Sequence, residues 1–202
     1  EMYSFEDKSG DNVSLRPEGT ASVVRAAIEH SWIQENPNLK VYYHGPMFRH
    51  ERPQKGRLRQ HYQFGLEIFG IPGPWADVEV MALQQRFFMV LGLMDKIELQ
   101  LNSTGCKACR PAYREMLRTS MQAHAEAYCG DCRRRMERNP LRVFDCKVET
   151  CKELAIKLPR VLDSLCQECE NHFSGVKEGL SALAIPFVVN PMTVRGIDYY
   201  TR

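Results

Sequence analysis

The chain has 202 residues, 44% hydrophobic and 26% charged, with a net charge of +2. This is ordinary for a soluble globular protein and enough to bury one good core and a small second module. The near-balanced charge excludes nucleic-acid binding argued from the total, so any basic surface has to be local. No apolar run is long enough to span a bilayer.

In chain order, Tyr3 and Phe5 alternate, a turn-like Lys8-Ser9-Gly10-Asp11-Asn12 follows, and Val13 and Leu15 alternate again, which predicts a hairpin over residues 1–15. Leu15-Arg16-Pro17-Glu18-Gly19-Thr20 breaks the strand. Thr20 is placed to cap a helix running to about Ile33, and Glu18 lies close to that helix's free N–H groups. Val41 to Gly70 reads as two strands joined by a basic, mobile loop from Arg52 to Arg59 that carries Lys55, Arg57 and Arg59.

Strand side chains alternate with period two, so Tyr62, Phe64, Leu66 and Ile68 share one face, expected to be the core face. Gln63, Gly65 and Glu67 share the other, a polar floor where the glycine leaves room for something to sit close. Arg49 and Glu51 share a face at the end of the first strand. A solvated sheet face is the ordinary reading of such a pattern.

Beyond the loop at 71–74, Asp77 to Leu93 has helical periodicity with Val80, Leu83, Phe87, Phe88 and Leu91 toward a core. Lys96 to Leu101 and Ile185 to Asn190 read as strands, Phe173 to Leu183 as a helix. Between them, helical signals cover Arg110 to Tyr128 and Glu149 to Cys169.

All 8 cysteines lie in this middle segment, as Cys106/Cys109, Cys129/Cys132, Cys146/Cys151 and Cys166/Cys169. No signal-peptide pattern opens the chain, so a reducing cytosol and metal thiolates fit better than disulfides. Two C-x-x-C pairs close a tetrahedral zinc site, so one or two structural Zn2+ ions are expected; which pairs combine cannot be read from their order. Free buried thiols and an iron–sulfur cluster are the alternatives.

Three segments carry a family resemblance. FRHERPQKGR followed by Q-x-G-x-E resembles the second signature motif of class II aminoacyl-tRNA synthetases, in the form seen in the histidyl-tRNA synthetase family. LRPEGT resembles that family's histidine-pocket segment, and Arg195-Gly196-Ile197-Asp198-Tyr199-Tyr200 its R-G-x-D-Y-Y motif. The resemblance covers nearly the whole chain. It implies an α+β fold: a class II antiparallel sheet flanked by helices over residues 1–101 and 173–202, with a mainly helical insertion module over 102–172.

The implied activity is that of a histidine–tRNA ligase, which joins histidine to ATP as histidyl-adenylate and then transfers it to tRNA(His). Arg49 and Arg195 would be the catalytic cations at the α-phosphate. ATP, with Mg2+, would meet Arg49, Glu51, Arg57 and Arg195. Histidine would meet Glu18, Thr20, Arg49, Gln63, Gly65, Glu67, Tyr199 and Tyr200, with Asp198 supporting its motif. Arg suits the anions because its planar fork holds phosphate and carboxylate bidentately. Arg110, Arg114, Arg118, Arg133, Arg134 and Arg135 are candidates for tRNA contact; a solvated helix with Glu115 and Glu137 as partners is the plainer reading.

A cytoplasmic homodimer without membrane contact is implied for the full-length protein. The chain reads as an internal fragment. The dimer motif, the third class II motif and an anticodon-binding domain are not in it, so the fragment alone is expected to be inactive. Two alternatives stand: a non-catalytic regulatory paralogue that serves histidine biosynthesis, and a zinc module that binds RNA.

Overall fold

The computed structural model describes residues 2–194. It divides into two compact units, Glu1–Pro72 and Gly73–Arg202.

The first unit opens with antiparallel strands β1 (Ser4–Glu6) and β2 (Asn12–Ser14), joined by the expected turn. The Asp7 carboxylate holds that turn by accepting the N–H groups of Ser9 and Asp11 at 2.8 and 3.0 Å. Helix α1 (Thr20–Glu29) stops short of Ile33 because Ser31 takes φ +57°, which starts a separate short turn, α2 (Trp32–Glu35). The hairpin forms as expected: β3 (Lys40–Phe48) pairs antiparallel with β4 (Gln60–Ile68), from Phe48 opposite Gln60 to Lys40 opposite Ile68.

The predicted core face of the hairpin is covered only in part: Leu66 and Ile68 are half-buried, but its other half lies open. Tyr42, Tyr62 and Phe64 are 72%, 67% and 43% exposed, and they stack with His44 in a ladder on the open side. The face of Gln63, Gly65 and Glu67 is the more covered one, and across the ladder it carries Val41, Tyr43, buried Gly45 and buried Met47. Period two says which residues share a face. It does not say which face receives a cover.

The second unit begins with α3 (Pro74–Val90), and a 3-10 turn (Met94–Lys96) leads to β5 (Gln100–Leu101). Four helices follow: α4 (Arg110–Gln122), α5 (Gly130–Arg138), α6 (Glu149–Ile156) and α7 (Gln167–Ala182). The strand β6 (Val188–Val189) returns to pair with β5, in parallel. Parallel pairing is what a long crossover permits. The described strands therefore make three two-stranded sheets, two antiparallel and one parallel. Both β5 and β6 are shorter than predicted: the 3-10 turn uses residues up to Lys96, and Pro186 has no N–H to donate. The expected helical run from Glu149 to Cys169 breaks into α6 and α7 around Pro159.

Two hydrophobic clusters organise this unit. One holds Tyr113, Leu117, Met121, Met136, Val143 and Val161 with their neighbours. The other holds Val78, Leu101, Val176, Leu180 and Ile185. The second corrects the predicted face of α3. Val78 is its buried residue, whereas Leu83, Phe87 and Leu91 are exposed. The cause is on α7, where Gly175 and Gly179 let Pro74, Trp75 and Val78 approach; a Cβ on Gly179 would lie 2.7 Å from Val78. No described helix is long and apolar enough to cross a membrane.

Leu180 is fully buried in the second cluster. Leu180→Ala is expected to destabilise this unit by about 3 kcal/mol, read as a lower urea midpoint with an unchanged slope.

Candidate functional site

In the first unit the predicted pocket residues meet around one tyrosine. Glu18 precedes α1 and caps it: its carboxylate accepts the backbone N–H of Thr20 at 2.8 Å and of Ala21 at 3.0 Å. Thr20, the cap expected from sequence, is instead the first residue of α1, with Gly19 at the cap position, and its hydroxyl lies close to that of Tyr43. Gln63 Nε2 donates to the Tyr43 hydroxyl at 3.1 Å. Burial raises the Tyr43 pKa above its usual value, the Thr20 hydrogen bond opposes this, and the carboxylates of Glu67 and Glu18 push it up further. Gln63 thus bonds the Tyr43 hydroxyl directly, while Thr20, Glu18 and Glu67 are near enough to shift its titration.

The room left by glycine is filled from within the protein. A Cβ on Gly65 would lie 2.1 Å from the Tyr43 ring, and a Cβ on Gly19 the same distance from its other edge. Tyr43 is the site residue that sequence patterning does not single out. Its signal is the register: in the ladder it faces Gly65, the arrangement in which an aromatic covers a strand glycine. One further feature marks the site. The buried Gln63 Oε1 has no hydrogen-bond partner among the described residues. Such an acceptor costs about 1–3 kcal/mol until a donor reaches it.

Arg49 adjoins this cluster. Its Nε donates to the Pro17 carbonyl at 2.8 Å, which fixes the plane of the guanidinium beside the Glu18 segment. Glu51 and Arg57 sit apart, at the hairpin tip. Gln54 and Arg57 close a tight turn over Gly56 at φ +78°, and Arg57 Nη1 lies 3.5 Å from Glu51 Oε2. That pair is exposed enough to contribute little to stability. Arg195, Gly196, Asp198, Tyr199 and Tyr200 lie outside the described residues.

In the second unit the cysteines resolve into two groups: Cys106, Cys109, Cys166 and Cys169, and Cys129, Cys132, Cys146 and Cys151. Within each, all four sulfurs lie within 4.8 Å of one another. Either group could hold a metal. None of the eight is in a disulfide. Backbone N–H groups of Cys109 and Ala108 pull the Cys106 pKa down to about 6, and that of Cys132 pulls Cys129 down to about 7. Burial pushes Cys169 up to about 12 and raises Cys132 and Cys151. Each group therefore mixes ready thiolates with thiols that a bound cation would have to deprotonate.

The arginines divide. Arg110, Arg114 and Arg118 line a groove of about 420 Å³ together with Lys107 and Arg138. Arg110 is also bonded to the carbonyls of Thr104 and Gly105, and Arg118 pairs with Glu115. Arg133 pairs with Glu126 and Arg134 with Asp131, while Arg135 donates to the Arg142 carbonyl; none of these three lines the groove. A cavity of about 520 Å³ between α3 and β6, lined by Met81, Phe88, Leu99 and Phe187, contains none of the site residues predicted above.

Comparison with known proteins is consistent over the full length. The family model for histidyl-tRNA synthetase matches residues 1–201. Histidine–tRNA ligases of Thermodesulfovibrio yellowstonii and Trichlorobacter lovleyi are 50% and 52% identical over all 202 residues. The chain spans about half the length of these curated relatives, 48% of each. The crystal structure of apo S. aureus histidyl-tRNA synthetase superposes with TM-score 0.76 at 39% identity, over 99% of this chain and 46% of that one. A Bacillus halodurans protein described as an ATP phosphoribosyltransferase regulatory subunit/histidyl-tRNA synthetase shares the fold at TM-score 0.56 and 18% identity, over 99% of this chain and 55% of that one.

The Tyr43 contact can be tested by a double-mutant cycle. Gly65→Ala should destabilise the first unit by about 1–3 kcal/mol, and most of that cost should vanish in a Tyr43→Ala background. Equal costs in both backgrounds, measured by chemical unfolding, would mean the two residues do not touch.

Proposed function

This chain belongs to the histidyl-tRNA synthetase family, and on that premise we propose that it supplies the amino-acid pocket and insertion module of a histidine–tRNA ligase. The observation that carries the reading is the unpaired, buried Gln63 Oε1 beside Tyr43, a phenol whose pKa the carboxylates of Glu67 and Glu18 raise. An acceptor without a donor, in negative surroundings, suits a ligand that brings N–H groups and positive charge. Histidine brings both, as an ammonium and an imidazole. Glu18, Thr20 and Gln63 would take the ammonium, and Glu67 the imidazole with Tyr199 and Tyr200. Gly65 contributes by admitting Tyr43, which holds Gln63 in place.

In the activation step a carboxylate oxygen of histidine attacks the α-phosphorus of ATP. The bond to the bridging oxygen breaks, and pyrophosphate leaves with the electron pair. Charge then spreads over the α-phosphate oxygens, so fixed cations lower the barrier more than any covalent group could. Arg49, pinned by Pro17, is oriented for that work, and Arg195 would be its counterpart. Glu51 would meet the adenine end, and Arg57 would leave Glu51 for the outer phosphates. Mg2+ accompanies ATP and offsets its charge.

In the second step the terminal ribose hydroxyl of tRNA(His) attacks the histidyl carbonyl, and AMP leaves. The groove of Lys107, Arg110, Arg114, Arg118 and Arg138 would follow the tRNA backbone, which is read by charge and shape; Arg133, Arg134 and Arg135 would extend that surface along α5. Residues 102–172 would be the insertion domain, and residues 1–101 and 173–202 the catalytic core. The cysteine groups would hold Zn2+ structurally. The full-length protein would be a cytoplasmic homodimer. The regulatory reading is less well supported, because likeness to the Bacillus halodurans protein extends only to the fold.

Histidine-dependent ATP–pyrophosphate exchange by the full-length protein tests this. Exchange is expected, and Arg49→Ala should lower its kcat at least ~10²-fold, as loss of a transition-state donor does. Histidine binding without any exchange would contradict it.

A further inference from the structure

We infer that the eight cysteines form two separate four-thiolate zinc centres with different tasks: one clamps the root of the insertion module, and the other is part of the module's own core. This rests on the zinc reading above and adds the partition and the roles.

Geometry selects one ion per group. In the root group, Cys106 lies 3.8 Å from Cys109 and 3.7 Å from Cys166, and Cys109 lies 3.9 Å from Cys169, sulfur to sulfur. In the inner group Cys129 and Cys146 are 3.9 Å apart. A disulfide needs about 2.05 Å. Four sulfurs placed about 2.3 Å from a tetrahedral zinc lie about 3.8 Å from each other. A 4Fe–4S cluster puts each thiolate on a different iron and a 2Fe–2S cluster divides them two and two, so both need wider spacing between some of the sulfurs. Each group of four sulfurs is thus compact enough for the corners of one single-ion tetrahedron, and the four distances given match its edges.

The local backbone agrees. Cys106 Sγ accepts the Ala108 N–H at 3.4 Å, and Cys109 Sγ accepts the Cys106 N–H at 3.3 Å. Gly105 has φ +66°, and a Cβ there would lie 2.9 Å from Cys109 Sγ, so the knuckle tolerates only glycine. Cys109, Cys129 and Cys166 are the residues immediately before α4, α5 and α7, so the helix starts set the positions of three of the eight sulfurs.

The two groups differ in what surrounds them. Cys132, Cys146 and Cys151 belong to the hydrophobic cluster of Tyr113 and Leu117, and Cys129 packs against it. None of the root cysteines belongs to either cluster. The root pairs flank the module instead: Cys106 and Cys109 follow β5, and Cys166 and Cys169 begin α7, whose Val176 and Leu180 sit in the other cluster. The root centre joins the start of α4 to the start of α7 across 60 residues of sequence. It thereby fixes how the basic groove on α4 is carried by the β5–α7 base. The inner centre supplies core that a module this small cannot assemble from side chains alone.

The test is elemental analysis and hydrogen exchange on the intact protein purified without chelator. Two zinc per chain are expected. Cys166→Ser/Cys169→Ser should retain one zinc and keep amide protection over residues 113–161, while protection at the first turns of α4 and α7 falls. Cys132→Ser/Cys151→Ser should also retain one, lose protection over 113–161 and keep it on α7 around Leu180. One zinc in the wild type, loss of both ions from either variant, or lost protection over 113–161 in the root variant would overturn the partition. Absence of zinc altogether would overturn the zinc reading as well. Two zinc without pyrophosphate exchange would contradict only the ligase.

Discussion

The ring of Tyr43 lies against both Gly19 and Gly65, with no space for a Cβ at either position. That contact locks the segment before α1 onto the polar face of the hairpin. Everything proposed to bind the amino acid depends on it. It brings Glu18, which precedes α1, and Thr20, which opens it, toward Gln63 and Glu67, which lie on a strand. It also explains the polarity of the sheet, because the face that receives α1 is covered although its residues are polar. The aromatic ladder of Tyr42, Tyr62 and Phe64 is left on the open side.

The second unit solves a different problem. Strand β6 must return beside β5 after 86 intervening residues, Asn102 to Phe187, and two-residue strands alone offer few hydrogen bonds to pull it back. Side-chain bonds reinforce the junction. Asn102 donates to the carbonyls of Pro191 and Thr193 at 3.3 and 2.8 Å, and Asn190 donates to Gln100 at 2.8 Å. Close packing of α7 on α3 through two glycines adds apolar burial. Zinc bound by the root thiolates would complete the closure, since a cross-link across a long loop removes much of the entropy of the open chain.

Much of this was legible in the amino-acid order. The hairpin was, because β3 and β4 are long, alternate cleanly and are joined by a loop with Pro and Gly. Glu18, Gln63 and Glu67 could be named as candidates together because the family resemblance of their two segments carries them. Which faces are covered was not. Leu83 and Phe87 have the helical spacing of a core, but remote glycines on α7 decide that Val78 is the residue buried. Cysteine pairing was not legible either: Cys106 meets Cys166 and Cys129 meets Cys146 only once α4 to α7 have packed. Arg110 could be placed on the same face as Arg114 and Arg118, but its bonds to Thr104 and Gly105 depend on the φ of Gly105.

The central claim is that the floor between Glu18 and Glu67 receives histidine through the vacant acceptor on Gln63. The most direct measurement is a crystal structure of the full-length protein grown with histidine. The expected result is a histidine nitrogen within hydrogen-bond distance of Gln63 Oε1, the ammonium toward Glu18 and Thr20, and the imidazole toward Glu67. A histidine bound elsewhere, or a Gln63 Oε1 satisfied by a protein group from outside residues 2–194, would contradict it.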